Sequence, residues 1–391
     1  MSTLGTAAGG GDERPTLLVE GWRGINHSYA MVNQHQLLHL GRWFRLYHRD
    51  LPYYNAQWSA QRSSAGFDEP DAQAIGRIPA PAPDTRQQVC YRIGFPLRMG
   101  PAAADRLYVF GTSEWQNING FVHDNGLRRG LRDRSLSIVT PSRWSRAGFL
   151  NAGFEDARVH VVPHGIDPAR FHPIDRGTRA AVRARLGLPE DAWAVLSVGA
   201  MTANKGVDVL VLAFARLRRR HPHARLLLKD QSNLYGIGAE GVLAGLRQAH
   251  PAELDEATLA SITVIAENLS QDGLRELYGA ADCYASTYRA EGFNLPPLEA
   301  AACGTPVLVT QGGPTDDYAE PDFAVQVESR RRAEGIRAWL EPDPDATLAR
   351  LEDMLEARVP GLDPAAAVPR IHAGHAWASV CERLARVLRG G

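Results

Sequence analysis

The chain has 391 residues, 44% apolar and 22% charged, with a formal net charge of −1. That balance suits a globular protein of two or three domains at roughly 100–200 residues each, and it excludes a global electrostatic pull toward nucleic acid or an anionic membrane. No apolar run approaches the roughly 18 residues that span a bilayer, and residues 1–14, rich in Gly, Ala and Thr, lack the basic start and apolar stretch of a secretion signal, so they read as a disordered leader.

Short apolar runs alternate with helical patterns, which is the mark of parallel α/β units. T-L-L-V-E at 16–20 is the first predicted strand, and residues 27–41 the first helix, with Tyr29, Val32, Leu37, Leu38 and Leu40 mostly on one side. Strands follow at 89–93, 106–110, 136–140 and 159–163. The Pro-punctuated segment 163–173 is a crossover, so a first domain is expected over 15–168 and a second over 169–372. The second repeats the scheme, with strands at 194–198, 225–229, 262–266, 282–286 and 306–310 and a helix over 207–220. An amphipathic helix at 375–389 carries Trp377, Val380, Cys381, Leu384 and Val387 at helical spacing. The four cysteines, Cys90, Cys283, Cys303 and Cys381, lack C-x-x-C spacing, which suits a reducing cytoplasm.

The richest segment is E-G-F-N-L-P-P-L-E at 291–299. Glu291 opens a loop, Gly292, Phe293, Asn294 and Leu295, that runs into Pro296 and Pro297. Proline fits the first turn of a helix, where its missing N–H has no helical partner. The loop therefore feeds a helix N-terminus, whose free N–H groups and positive dipole end attract an anion. Glu299, one turn in, can reach a hydroxyl. Phosphate and hydroxyls side by side describe a nucleotide-sugar. The plain alternative is two carboxylates flanking a surface turn.

These residues resemble the E-x7-E motif of retaining glycosyltransferases of family 4. L-S-I-V-T-P-S-R-W-S at 136–145, V-H-V-V-P-H-G-I-D at 159–167, A-V-L-S-V-G-A-M-T-A-N-K-G at 194–206 and L-Y-G-A-A-D-C-Y-A-S at 277–286 resemble that family in the same order. The resemblance implies a GT-B fold: two Rossmann-like α/β domains facing a cleft, the first for the acceptor and the second for the donor. It also implies that the C-terminal helix, within 373–391, returns to the first domain. By the same analogy Glu291 contacts donor-sugar hydroxyls, Glu299 holds the ribose, and backbone N–H groups from Gly292 to Leu295 hold phosphate and sugar.

Other candidates are weighed against structural roles. Lys205, in N-K-G, suits a diphosphate that gains charge as the glycosidic bond breaks; otherwise it is a solvated loop lysine. Many family members carry an arginine where this chain has Ala200, and Lys229, at the end of the next strand, is a candidate replacement. In G-W-R-G-I-N-H, Gly24 lies in a loop that abuts the donor phosphate in relatives, and His27 near the helix start is a candidate for phosphate or sugar, or a structural histidine. Glu20 and Glu114, at strand ends beside Trp22 and Trp115, are candidate acceptor carboxylates, or acids that the helix dipole favours. His35 and His39 have metal-compatible spacing without a third ligand, and Asp343 and Asp345 mimic a metal motif in a late loop. Neither is taken as a site, and no metal or other cofactor is expected.

The expected activity is retaining transfer of a sugar from a nucleotide-diphosphate donor, UDP favoured, to a soluble small-molecule acceptor. An aminocyclitol in aminoglycoside antibiotic biosynthesis is the specific expectation, with catalysis by Glu291, Lys205 and His27. A cytoplasmic setting is expected, with neither nucleic acid nor stable membrane association. A sugar-nucleotide 2-epimerase and a non-catalytic nucleotide-sugar-binding protein remain the alternatives.

Overall fold

The structure is a computed structural model that describes residues 12–61 and 64–390. Most of the leader expected at 1–14 lies outside the described residues.

Six strands form a first parallel sheet: β1 (Thr16–Gly21), β2 (Arg45–Asp50), β3 (Gln87–Ile93), β4 (Ala104–Phe110), β5 (Leu136–Thr140) and β6 (Val159–Val161), in the order β2-β1-β3-β4-β5-β6. A second parallel sheet holds β7 (Trp193–Val198), β8 (Ala224–Lys229), β9 (Ile262–Ile265), β10 (Cys283–Ser286), β11 (Val307–Thr310) and β12 (Ala324–Val327), in the order β12-β11-β10-β7-β8-β9. Strand order reverses between β1 and β3 in one sheet and between β7 and β10 in the other. Such reversals open a crevice at the carboxyl ends of the strands, where open α/β sheets bind ligands.

Two elements escape the apolar pattern. Edge strand β2 reads R-L-Y-H-R-D and leaves Arg45, Arg49 and Asp50 exposed. A charged edge blunts unwanted strand pairing and carries little strand signature. An antiparallel hairpin, β13 (Ser329–Glu334) and β14 (Arg337–Pro342), turns at Gly335, whose φ is 58°. Its first strand, S-R-R-R-A-E, has no alternation to read.

Each sheet is buried on both faces, as parallel sheets require. On β1, Leu17 and Val19 pack with Tyr29, Val32 and Leu37 of the helix Ser28–Leu40, whereas Leu18 packs with Cys90 on the opposite face. The C-terminal helix Trp377–Leu388 lies in the core of the first domain: Trp377, Val380, Cys381 and Leu384 are buried with Leu17 and Val19. Tyr108 also donates to the Val387 carbonyl at 2.9 Å. The preceding helix, Pro364–His375, belongs to the second domain through Ala367 and Ile371. The chain thus crosses back at Ala376; residues 372–373, the boundary expected from sequence, fall inside a helix. The two crossovers pair, with Ile166 N–H donating to His375 O at 2.8 Å and Trp377 N–H to Ile166 O at 3.0 Å. Among the described residues, no helix is long and apolar enough to cross a membrane.

Candidate active site between the two sheets

A cavity of about 490 Å³ lies where the two strand-order reversals face each other. The wall from the second domain is built on the loops after β7 and β10. Gly206 makes their contact possible: its φ is 63°, and a Cβ there would stand 1.9 Å from the Thr287 carbonyl oxygen. Thr287 Oγ1 donates to Gly206 O at 2.7 Å, fastening the two loops. Lys205 consequently meets Glu291, its ammonium donating to Oε1. Burial works against the Lys205 charge, but Glu291 and then Glu114 hold its pKa above the ordinary lysine value.

The helix Leu295–Ala302 starts at Asn294, which takes the left-handed conformation, φ 67° and ψ 72°. Its side chain makes no cap; Nδ2 donates instead to Ser286 Oγ at 2.9 Å. Gly292 presses against the first domain, where a Cβ would come within 2.6 Å of Thr112 Cβ. Ser142 Oγ donates to Gly292 O at 2.6 Å. One turn into the helix, Glu299 accepts from Tyr278 OH at 2.7 Å. Burial raises its pKa to about 7, against the pull of that hydrogen bond. Lys229, at the end of β8, is 4% exposed and lines the same wall near Ala200. Its ammonium donates to the Asp230 carbonyl, and burial lowers its pKa.

The opposite wall comes from the first domain: Glu114, Trp115 and Asn117 after β4, Phe95 after β3, Phe121, and His27 at the start of the helix Ser28–Leu40. Asn204 Nδ2 donates to Glu114 Oε2 at 3.1 Å, and Trp144 Nε1 to the Glu114 carbonyl at 2.8 Å. Burial lifts the Glu114 pKa to about 7, with Lys205 opposing and Glu291 adding to the rise. His27 Nδ1 accepts from the Tyr29 N–H at 3.2 Å, which leaves Nε2 as the protonated nitrogen. Burial, then Lys205, push its pKa down to about 3, so the ring is neutral at pH 7. It packs on Trp58 at 5.0 Å and Tyr235 at 6.0 Å. Trp58 Nε1 donates to the Leu234 carbonyl at 2.9 Å, a tie between the domains.

Of the residues singled out from sequence, the structure brings His27, Glu114, Lys205, Lys229, Glu291, Gly292, Phe293, Asn294, Leu295 and Glu299 to one cavity. Three do not line it. Glu20 points to the other face of the first sheet, because side chains alternate along a strand and β1 offers Leu17 and Val19 to the cleft-side helix. There it is 5% exposed and held by Arg92 Nε at 2.7 Å and Arg49 at 3.1 Å. Trp22 is 1% exposed, its indole N–H donating to Pro52 O at 2.9 Å. Gly24 N–H donates to Gln34 Oε1 at 3.0 Å. His35 stacks on Trp377 at 5.0 Å, and Asp343 caps the helix Pro344–Leu355.

Among the lining residues that sequence reasoning missed, four bear on the chemistry. Asn204 bridges the walls, and Tyr235 packs on His27. His164, in the P-H-G-I-D crossover, sits 4.9 Å from the Phe293 ring with Nδ1 unpartnered among the described residues. Gln271 is 3% exposed beside Leu269 and Leu274, with neither amide atom partnered there. Gln271 stands between Ser270 and Asp272 at a helix start, so the local sequence held no signal for it.

Comparison with known proteins agrees with this geometry. Residues 178–348 match the model of glycosyl transferases group 1. Over 247 residues the chain is 34% identical to D-inositol 3-phosphate glycosyltransferase 1 of Catenulispora acidiphila, covering 61% of this chain and 53% of that one. It is 30% identical over 161 residues to mannosylfructose-phosphate synthase of Agrobacterium fabrum, covering 41% and 34%. The chain thus spans about a third to a half of the length of the curated relatives it matches. The fold extends further. Anabaena Alr3699/HepE, solved with UDP and glucose, superposes with a TM-score of 0.69 at 14% identity, over 97% of this chain and 100% of that one. Sucrose-phosphate synthase from Thermosynechococcus elongatus does so at 0.66 and 17%, over 96% and 98%. Residues 178–348 are thus similar to glycosyl transferases group 1, and the two Rossmann-like sheets have the GT-B architecture of these structures.

Proposed function

We propose that the chain is a retaining glycosyltransferase that moves a sugar from a UDP-sugar to a soluble, amine-bearing polyhydroxylated acceptor, of the aminocyclitol kind used in antibiotic biosynthesis, in the cytoplasm. The observation that carries this reading is the meeting of Lys205, Glu291 and the uncapped helix Leu295–Ala302 at the reversal between β7 and β10. Lys205 and the backbone N–H groups of the Gly292–Leu295 loop hold the diphosphate, with Lys229 as the second cation that Ala200 does not supply. Glu299 takes the ribose. Gln271, an unpartnered amide in an apolar recess, suits a base edge. Without ligand, Lys205 is bound by Glu291; a diphosphate draws the ammonium away and frees Glu291 for donor-sugar hydroxyls. The acceptor oxygen then bonds to the anomeric carbon on the face that the diphosphate leaves. The carbon–oxygen bond to phosphate breaks, and the acceptor proton passes to a diphosphate oxygen. Lys205 stabilises the growing charge there.

Two of the relatives named above, D-inositol 3-phosphate glycosyltransferase 1 and mannosylfructose-phosphate synthase, carry a phosphorylated polyol or sugar in their names. Among the described residues, the first-domain wall of this cavity carries no Lys or Arg and does carry Glu114. That supports a neutral or cationic acceptor, since a carboxylate strengthens hydrogen bonds to ammonium and repels phosphate.

The test is incubation with UDP-sugars and a diamino-cyclitol, with NMR of the product. Retained anomeric configuration and stoichiometric UDP release are expected. Epimerised donor sugar, or donor bound with neither release nor transfer, overturns the reading.

A further inference from the structure

The hairpin β13–β14 belongs to the donor domain by sequence but lies against both walls of the cleft. Its strand β14 pairs with β13 on one edge. On the other edge, N–H groups two residues apart reach two different loops. Ala338 N–H donates to Trp115 O at 2.9 Å, and Leu340 N–H donates to Arg289 O at 2.8 Å. Trp115 adjoins Glu114, and Arg289 stands two residues before Glu291. One strand edge therefore bonds the backbone beside each of the two cleft carboxylates.

Side chains reinforce both ties. Leu340 forms a buried cluster with Trp144 of the first domain and Tyr288 of the second. The Trp144 indole in turn donates to the Glu114 carbonyl. Arg331 donates to Gln116 Oε1 at 2.6 Å, and Gln116 is held at φ 51°, in the left-handed region that non-glycine residues rarely adopt. Trp339 meets Trp115 edge to face at 6.2 Å. On the donor side, Arg289 pairs with Asp208 and with Glu341 of β14 itself.

We propose that β14 is a spacer that fixes the acceptor carboxylate Glu114 relative to the donor carboxylate Glu291. Ala338, Arg331 and Gln116 are positioning residues for the acceptor. An extended strand repeats every two residues at roughly 6.5–7 Å and stretches little, so it keeps a fixed length between its two bonds. The Glu114 loop is also held from its own domain, with Ser113 N–H donating to Ser145 Oγ at 2.6 Å and Asn151 Nδ2 to Gln116 O at 3.2 Å; β14 adds a backbone tie from that loop to the donor domain. The inference rests on the proposed roles of Glu114 and Glu291.

The test uses the full chain. Ala338→Pro removes the N–H to Trp115 on the edge of β14 that does not pair with β13. Gln116→Gly keeps the left-handed backbone but drops the Arg331 contact. Both are expected to speed amide hydrogen exchange of residues 112–117 about tenfold or more, while UDP affinity by calorimetry stays within about twofold of wild type. Arg331→Ala should behave like Gln116→Gly, and Arg331→Lys should restore part of the protection. With a diamino-cyclitol acceptor, KM should rise about tenfold, while hydrolysis of the donor by water stays near wild type. Unchanged exchange at 112–117 in the variants overturns the spacer. Faster exchange in a protein that transfers to no acceptor leaves the spacer standing and removes the enzymatic reading on which its purpose rests.

Discussion

The two walls of the cleft differ in how they are made. The donor wall is centred on two contiguous stretches, 199–205 and 291–299, joined by Lys229 and Gln271, and its charged groups are Lys205, Lys229, Glu291 and Glu299 beside a helix start. The acceptor wall is gathered from Phe95, Glu114, Trp115, Asn117, Phe121 and His27, on several separate loops, and is mostly aromatic around one carboxylate. A diphosphate asks for what a helix start and a point charge supply, and these come from neighbouring residues. Sugar-like acceptors ask for flat apolar faces and a few aimed polar groups, which any loop can bring. On the proposed function, a compact motif holds the diphosphate and residues from separate loops hold the acceptor.

The comparison breaks most visibly at Lys205. Lys205→Ala should lower kcat by about 100-fold or more in steady-state assays, since the leaving diphosphate loses its cation; a variant within a few-fold of wild type would detach the donor wall from the chemistry. Glu291→Ala should chiefly lower turnover and Glu299→Ala chiefly raise the donor KM, each by about tenfold or more. Either variant with wild-type kinetics contradicts its assignment.

On the other wall, Glu114→Gln should raise the acceptor KM about tenfold while UDP affinity, read by calorimetry, stays nearly intact. The pH profile sharpens this. Glu114 stays protonated up to about pH 7 in the free protein, so kcat/KM for an amine acceptor should rise with pH through that value. Glu114→Gln should flatten the rise, and an unaltered profile would show that another group titrates.

A smaller effect appears in stability. Glu299 keeps its proton to about pH 7 in the folded chain, against 4.5 for an ordinary glutamate. The folded state therefore binds more protons between these values, and stability falls as pH rises through the window, by about 1–2 kcal/mol from this group after allowance for solvent. Denaturant melts of Glu299→Gln should lack that part of the slope. Glu20→Gln, on the far face of the first sheet, should cost about 2–3 kcal/mol of stability by leaving Arg92 buried without its countercharge, with donor and acceptor kinetics unmoved.

The asymmetry between walls also explains what was legible in the sequence. The helix over 207–220, the main strands of both sheets and the 291–299 loop could be read because period, proline placement and glycine demands act over a few residues. Glu20 went astray because a strand end was identified without its face; β1 ends in the cleft region, but alternation turns Glu20 toward Arg92. Strands β2 and β13 were missed because exposed, arginine-rich strands carry no apolar period, and β14 alternates over too short a run to stand out. Asn204 reaches Glu114 and Tyr235 packs on His27 across the cleft, long-range facts that no local pattern holds.

The most direct test of the contrast between walls is competition between acceptors at fixed UDP-sugar. A diamino-cyclitol, its N-acetylated form and a polyol phosphate are offered together, and products are counted by mass spectrometry. The aromatic wall with Glu114 and without a cation predicts transfer to the free amine above the N-acetylated form, and little to the phosphate. Preferential transfer to the polyol phosphate would contradict it.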